Sequence, residues 1–409
     1  VKRLFAALLC AALPVVARAE EAPPPAPAGT SAEVPAPAPE PPASPPVASA
    51  PPLFAVAPPP AADDLPPRPT PSLVMTPVQG LTLAPLVEIF AHYQHRTTYA
   101  ADGANDWFHE FSLQRAFLGL DARWNGAEAR VILEAVRSAN DGGTVGVAGN
   151  ALVTNVREAF AGYTYRLGDD AKYGAVEGRL GIVPTLVIPT IEQAWRLRVL
   201  EKSTLERAAL AYPADVGAVL RYEAPKHIGD VAVALENGEG YQRPELNRGK
   251  NLEVALRARP LAFHPRLVPL TLLVAYQNGS LSTGSARADR VTTGLLWIGE
   301  RVTGGAAFTY GWGVEGDGAK PSFLLDAFAR VEPLKNVLVG ARVSTWVRDV
   351  RVSGDVVTQV LGTVGYRLFS PLELYAAVAR TLPASVARAA LPGEDALDFR
   401  IAARVAFGL

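Results

Sequence analysis

The sequence predicts an all-β fold, a transmembrane antiparallel β-barrel of about sixteen strands. Segments of roughly ten residues alternate apolar and polar positions with period two, the signature of a strand with one greasy face. The connections between them alternate in length, long then short, as in barrels with loops at one end and tight turns at the other. Beyond the first twenty of the 409 residues, no run of about 18 uninterrupted apolar residues exists to make a membrane helix, although 49% of the chain is hydrophobic.

The chain opens with Lys2 and Arg3, an apolar stretch over 4–16, then Ala17, Arg18 and Ala19. A charged start, a short apolar part and an A-x-A site predict a secretory signal peptide over 1–19. The single cysteine, Cys10, lies inside it, so disulfides, cysteine-held zinc, iron-sulfur clusters and thiol nucleophiles are not expected in the mature chain. An acylated Cys10 would want a small residue before it, and Leu9 stands there. Residues 20–78 are rich in Pro and Ala, as at Pro23, Pro24, Pro25 and again at Pro58, Pro59, Pro60. Lacking donors and apolar periodicity, they predict a disordered, extended periplasmic linker. It is either a passive spacer or a tether to peptidoglycan.

Strands are expected near 83–96, 109–123, 128–138, 155–166, 174–183, 214–224, 229–236, 251–260, 268–277, 288–300, 302–312, 322–332, 336–348, 356–368, 371–381 and 397–408, within a barrel domain over 79–409. About ten tilted residues cross a bilayer. The last segment is the clearest: Leu397, Phe399, Ile401, Ala403, Val405 and Phe407 alternate with a face that includes Asp398, Arg400 and Arg404. A soluble sandwich also alternates, but an even strand number closes a sheet without edges, and here the apolar stripe recurs on nearly every strand. Aromatics near strand ends, among them Trp124, Tyr165, Tyr222, Trp312 and Tyr366, suit interfacial girdles.

If apolar positions face lipid, the intervening ones face the lumen. Arg115, Arg123, Arg130, Arg179, Arg221, Arg257, Arg330, Arg342, Arg400 and Arg404 then line it, alongside carboxylates such as Glu134, Glu177, Glu253 and Asp326. A packed dry interior does not tolerate so many charges, and sixteen strands enclose more than side chains fill, so an aqueous channel is expected. Such a hole passes small hydrophilic solutes. The inward arginines outnumber the inward carboxylates, which predicts a modest anion preference in a chain with 39 Lys+Arg against 40 Asp+Glu. That near-neutral total excludes a strongly basic nucleic-acid binder.

The longest connection, 184–213, follows the fifth strand and carries Glu192, Arg196, Arg198, Glu201, Lys202, Glu206 and Arg207. Its stretch 190–210 has few breakers and room for a short helix. It either folds inward or lies over the mouth.

Three stretches give a family resemblance: Arg115-Ala116-Phe117-Leu118-Gly119-Leu120-Asp121, Gly181-Ile182-Val183-Pro184-Thr185 and Glu236-Asn237-Gly238-Glu239-Gly240-Tyr241. In that order, the barrel resembles the phosphate-selective porin family of outer membranes. The resemblance implies a homotrimer of sixteen-stranded pores, with solutes that are small anions, phosphate or other oxyanions among them, or neutral molecules. By likeness to general porins, it also implies that the 184–213 connection forms the constriction through Glu192, Arg196, Arg198, Glu201 and Lys202. The family's phosphate-specific members line the channel with both arginine and lysine, whereas Lys172, Lys226, Lys250, Lys320 and Lys335 here fall mostly in turns and loops.

Enzyme chemistry finds no motif. His92, His95, His109, His227 and His264 are dispersed, with no H-E-x-x-H pair and no G-x-S-x-G elbow. His92 and His95 fall on opposite faces of a strand. Gly142, Gly143, Gly146 and Gly149 belong to a long loop rather than a phosphate cradle. No cofactor or metal is expected. The competing function is a plugged barrel that anchors the outer membrane to the cell wall through its Pro-rich arm.

Overall fold

The computed structural model describes residues 75–76, 79–100, 105–137, 152–242, 249–264, 266–279, 287–313 and 320–407. The signal peptide, nearly all of the Pro/Ala-rich linker and the four loop glycines lie outside the described residues. Of the linker, Met75 exchanges two backbone hydrogen bonds with Leu83, both 2.9 Å.

Sixteen strands follow one another. They are β1 (Leu81–Tyr99), β2 (Asn105–Trp124), β3 (Ala127–Arg137), β4 (Leu152–Arg166), β5 (Ala175–Pro184), β6 (Ala214–Glu223), β7 (Gly229–Glu236) and β8 (Asn251–Ala258). The second half comprises β9 (Leu270–Asn278), β10 (Asp289–Ile298), β11 (Val302–Trp312), β12 (Pro321–Leu334), β13 (Val337–Val347), β14 (Val356–Phe369), β15 (Leu372–Pro383) and β16 (Ala396–Phe407). Each pairs antiparallel with its sequence neighbours, and β16 pairs with β1, so the sheet closes into a barrel with no edge. Among the described residues, no helix is long and apolar enough to cross a membrane.

The alternation read from the sequence is the alternation of the wall. On β16, Leu397, Phe399, Ile401 and Phe407 are exposed, while Asp398, Ala402, Arg404 and Ala406 are buried. The register turns this into a two-faced sheet, because a one-residue slip would exchange the faces. Irregularities adjust it locally; the first two along the chain are at Phe90/Ala91 in β1 and at Ile132/Leu133 in β3. Opposite the second, β4 holds the extra residue Arg157, and the bulge turns both Arg157 and Glu158 toward Glu134 and Arg130 on the inner face. Two-residue turns such as Asn125-Gly126, Lys335-Asn336 and Ser370-Pro371 close one end of the barrel.

At the other end the 184–213 connection leaves β5 and turns into the barrel. It forms α1 (Val187–Trp195) and α2 (Thr204–Arg207). The first helix begins ahead of the 190–210 stretch expected to hold it. Pro189 looks like a breaker in the sequence, yet it occupies the first turn, where no intrahelical N–H bond is required. Ser203 caps α2, its hydroxyl accepting from the Glu206 N–H at 3.2 Å.

The expectation that a charged interior excludes dry packing needs correction. Val187, Ile188, Ile191, Ala194 and Trp195 form a stripe at helical spacing, and all are buried. That stripe lies against β10, β11 and β12 and joins one apolar cluster with Leu273, Leu296, Leu324, Phe328, Leu338 and Leu361 from the inner wall. Part of the interior is therefore a hydrophobic core, and the wall beside it is poorest in charge along β9–β11.

Candidate functional site

The inner wall divides by chemistry. The inner faces of β9 and β11 carry Thr271, Leu273, Ala275, Gln277, Thr303, Gly305, Ala307 and Thr309, with no charge; β10 contributes only Arg290. Elsewhere arginine and carboxylate alternate from strand to strand. Arg257 meets Asp230 at 2.8 Å, Arg221 lies 3.5 Å from Asp230 and 3.4 Å from Glu177, and Arg179 bonds Glu177 and reaches Glu128 at 2.6 Å. Arg130 lies between Asp121 and Glu158, and Arg123 stands in register opposite Glu128. The ladder resumes as Glu88, Arg404 (3.0 Å from Glu373), Arg367 (3.2 Å from Glu373) and Glu332. Gly162 makes one rung possible, since a Cβ there would sit 2.8 Å from the Glu128 Oε1 that receives Arg179.

The inserted segment is held mostly by its backbone. Glu253 on β8 accepts the Leu186 N–H at 2.9 Å, and Arg290 on β10 donates to the Leu210 carbonyl at 3.1 Å, so the two ends are fixed from strands on either side of β9. In the middle, Arg342 donates to the Lys202 carbonyl at 2.8 Å and Arg400 to the Leu200 carbonyl at 2.6 Å; the His92 ring donates to Val199. Arg342 is also bound by Asp326 and lies 5.0 Å over the Trp195 ring, which meets Phe328 edge-on at 5.7 Å. Gly340 makes room, because a Cβ there would come within 2.5 Å of Leu197 Cδ1.

Among the residues expected at a constriction, Arg198 pairs with Glu192 and with Glu206 at 2.7 Å. Glu201 pairs with Arg400 at 2.9 Å, and the partly exposed Lys202 lies 3.5 Å from Glu206. Burial alone would raise the Glu206 carboxyl, but Arg198, Arg115 and Lys202 outweigh it and hold it down at about 2. Arg196 differs from its neighbours. It sits in the left-handed conformation at the end of α1 and donates to the Gln193 carbonyl at 3.1 Å. Burial and the nearby Arg330 lower it to about 10, which leaves it charged at neutral pH.

Arg330 is 6% exposed, and its Nε and Nη1 have no hydrogen-bond partner among the described residues. It lies beside Arg196 because Trp195 packs on Phe328, two positions before it, and Leu197 packs at Gly340, its register partner. The expected arginine excess is thus narrower than the sequence implied. Arg115, Arg130, Arg179, Arg221, Arg257, Arg342, Arg400 and Arg404 each have a carboxylate within 4 Å.

Several residues absent from the expected set do much of the holding: His92, Arg157, Arg290 and Tyr241. The helical stripe from Val187 to Trp195 was a readable signal for an inward-packed helix. His92, Arg290 and Tyr241 had none, since their partners lie eighty or more residues away, and Arg157 faces inward only because of the bulge at Ile132/Leu133. His95 faces away from His92 and stands in register opposite His109 on the outer face. Among the described residues, no group of three or more His, Cys, Asp or Glu could hold a metal ion.

No family model and no curated protein matches the chain. Solved structures do match. The anion-selective porin from Comamonas acidovorans superposes with a TM-score of 0.54 at 13% identity, over 80% of this chain and 100% of that one. OmpT of Vibrio cholerae gives 0.54 at 11%, over 82% and 100%. Salmonella typhi OmpF, solved in complex with daunomycin, gives 0.54 at 12%, over 81% and 100%. At such identities the likeness is one of fold: this chain has the barrel architecture of outer-membrane porins.

Proposed function

We propose that the protein is an outer-membrane porin, a water-filled channel for passive diffusion of small hydrophilic solutes, assembled as a homotrimer. The observation that carries this reading is the closed sixteen-stranded barrel with apolar residues outside, a charged arc inside and the β5–β6 connection folded within. Wall charges focus the field felt by a passing ion. In this reading the charged arc lines the path, and the segment bearing Glu192, Arg196, Arg198, Glu201 and Lys202 narrows it. A modest anion preference rests on Arg196 and Arg330, two adjacent inward cations with no carboxylate within 4 Å among the described residues, rather than on arginine number. The resemblance to phosphate-selective porins extends that preference to oxyanions. Residues 1–19 direct export, and 20–78 form a periplasmic spacer that reaches toward peptidoglycan.

Reconstitution of the purified protein in planar bilayers tests the reading. Stepwise single-channel currents are expected, with reversal potentials on the anion side in a salt gradient. A folded, heat-modifiable barrel that stays silent would overturn it in favour of a plugged anchoring barrel.

A further inference from the structure

The start of the β7–β8 connection takes a course that strand periodicity does not encode. Rather than rising away from the barrel, residues 237–242 bend inward against the end of the inserted segment. The Tyr241 N–H donates to the Ala214 carbonyl at 3.0 Å, and the Gly238 N–H donates to Asp215 at 2.7 Å. Gly240 has φ +78°, and a Cβ on it would lie 2.7 Å from the Tyr212 ring, so this approach is open to glycine alone. From that base the Tyr241 side chain extends past the strands between β3 and β7 and donates its hydroxyl to Glu134 on β3.

Glu134 is fully buried and is the hub of the charges that reach the inserted segment. One oxygen takes Arg115, with Arg157 at 3.9 Å; the other takes Tyr241. Arg115 in turn stands 3.5 Å from Glu206 on α2, which binds Arg198. A continuous path therefore runs from the β7–β8 connection through Tyr241, Glu134 and Arg115 to the middle of the inserted segment.

We propose that Tyr241 is a positioning residue: by bonding Glu134 it latches the 237–242 segment across the lumen and orients Arg115 onto Glu206, so that the constriction is set by two connections rather than one. This rests on the porin reading for its functional consequence but not for the latch itself. Burial and the adjacent Glu134 carboxylate both push the phenol upward, so it remains a donor across the physiological range. Gln242 donates to the same hydroxyl at 3.0 Å, leaving the Tyr241 proton directed at Glu134.

The test is a double-mutant cycle of Tyr241→Phe, Glu134→Gln and the pair, each checked for heat-modifiability and read by open-channel noise and substate frequency. Tyr241→Phe keeps the ring and removes only the donor. It is expected to raise the population of the released substate roughly tenfold, the scale of one hydrogen bond to a charge. In the Glu134→Gln background the same change is expected to add little, because the phenol acts through that carboxylate. A mere packing role would give Tyr241→Phe no effect, or the same effect in both backgrounds, and either result overturns the proposal. If the wild-type barrel is silent, the channel reading fails while the latch remains testable by amide exchange over 204–213 and 237–242. Faster exchange in Tyr241→Phe at both segments supports the latch, and unchanged exchange refutes it.

Discussion

On the β10–β12 side of the lumen, α1 rests on a largely apolar wall that shares one cluster with Leu296, Leu324 and Phe328, although Arg342 lies over the Trp195 ring, and Trp195, Ile188 and Ile191 are buried as completely as in any protein core. On the β1–β4 side the same connection also meets the wall through ion pairs, Arg115 with Glu134 and Glu206 chief among them, and through the His92 bond to Val199. The two sides do different work. Apolar contact is non-directional and holds the helix in place, whereas an ion pair with a poor angle is worth little, so the charged side fixes orientation. A buried pair also resists loss of one partner more than it favours the fold, so the charged side penalises wrong arrangements.

Trp195→Ala should produce the largest effect. Removing a fully buried ring that supports both Phe328 and Arg342 costs about 3–5 kcal/mol, and the loss is expected to appear as protease cleavage within 185–213 at any ionic strength. Continued protection would mean that the charged side alone can hold the segment.

Next comes Glu177→Gln, which leaves Arg179 and Arg221 facing each other without their shared carboxylate. A cost of about 1–3 kcal/mol is expected in denaturant unfolding. It should shrink at molar salt, where the Debye length is about 3 Å. A loss insensitive to salt would show that this arc is held by packing after all.

The pH response separates the two sides without mutation. Glu206 is depressed from 4.5 to about 2, so its contribution is complete above about pH 4.5 and is lost as pH falls toward 2. Acid over that window is expected to speed exchange at the amides of 204–207 while those of 187–195 stay protected. Equal release of both stretches would refute separate anchoring.

Arg257→Gln should do least. Its side chain is 23% exposed and lies against a single carboxylate, Asp230, so the expected change is within about 1 kcal/mol. A larger effect would mark the ladder as one cooperative network.

Local periodicity was enough to specify the barrel. Sixteen periods of alternation, the alternating loop lengths and the inward faces of Arg115, Arg342 and Arg404 were readable because strand periodicity is local and period two admits only one register with a buried charged face. The long connection after β5 was readable by length. Its inward course was decided by tertiary structure: the stripe from Val187 to Trp195 needs a surface to bury against, and the surface is assembled from β10, β11 and β12, more than ninety residues downstream. The same holds for charge. Composition counts arginines, but only the closed barrel brings Arg257 to Asp230 and Arg404 to Glu88 while leaving Arg330 beside Arg196 with no carboxylate, because ion pairing depends on distances of a few ångströms between chain segments that sequence spacing does not encode.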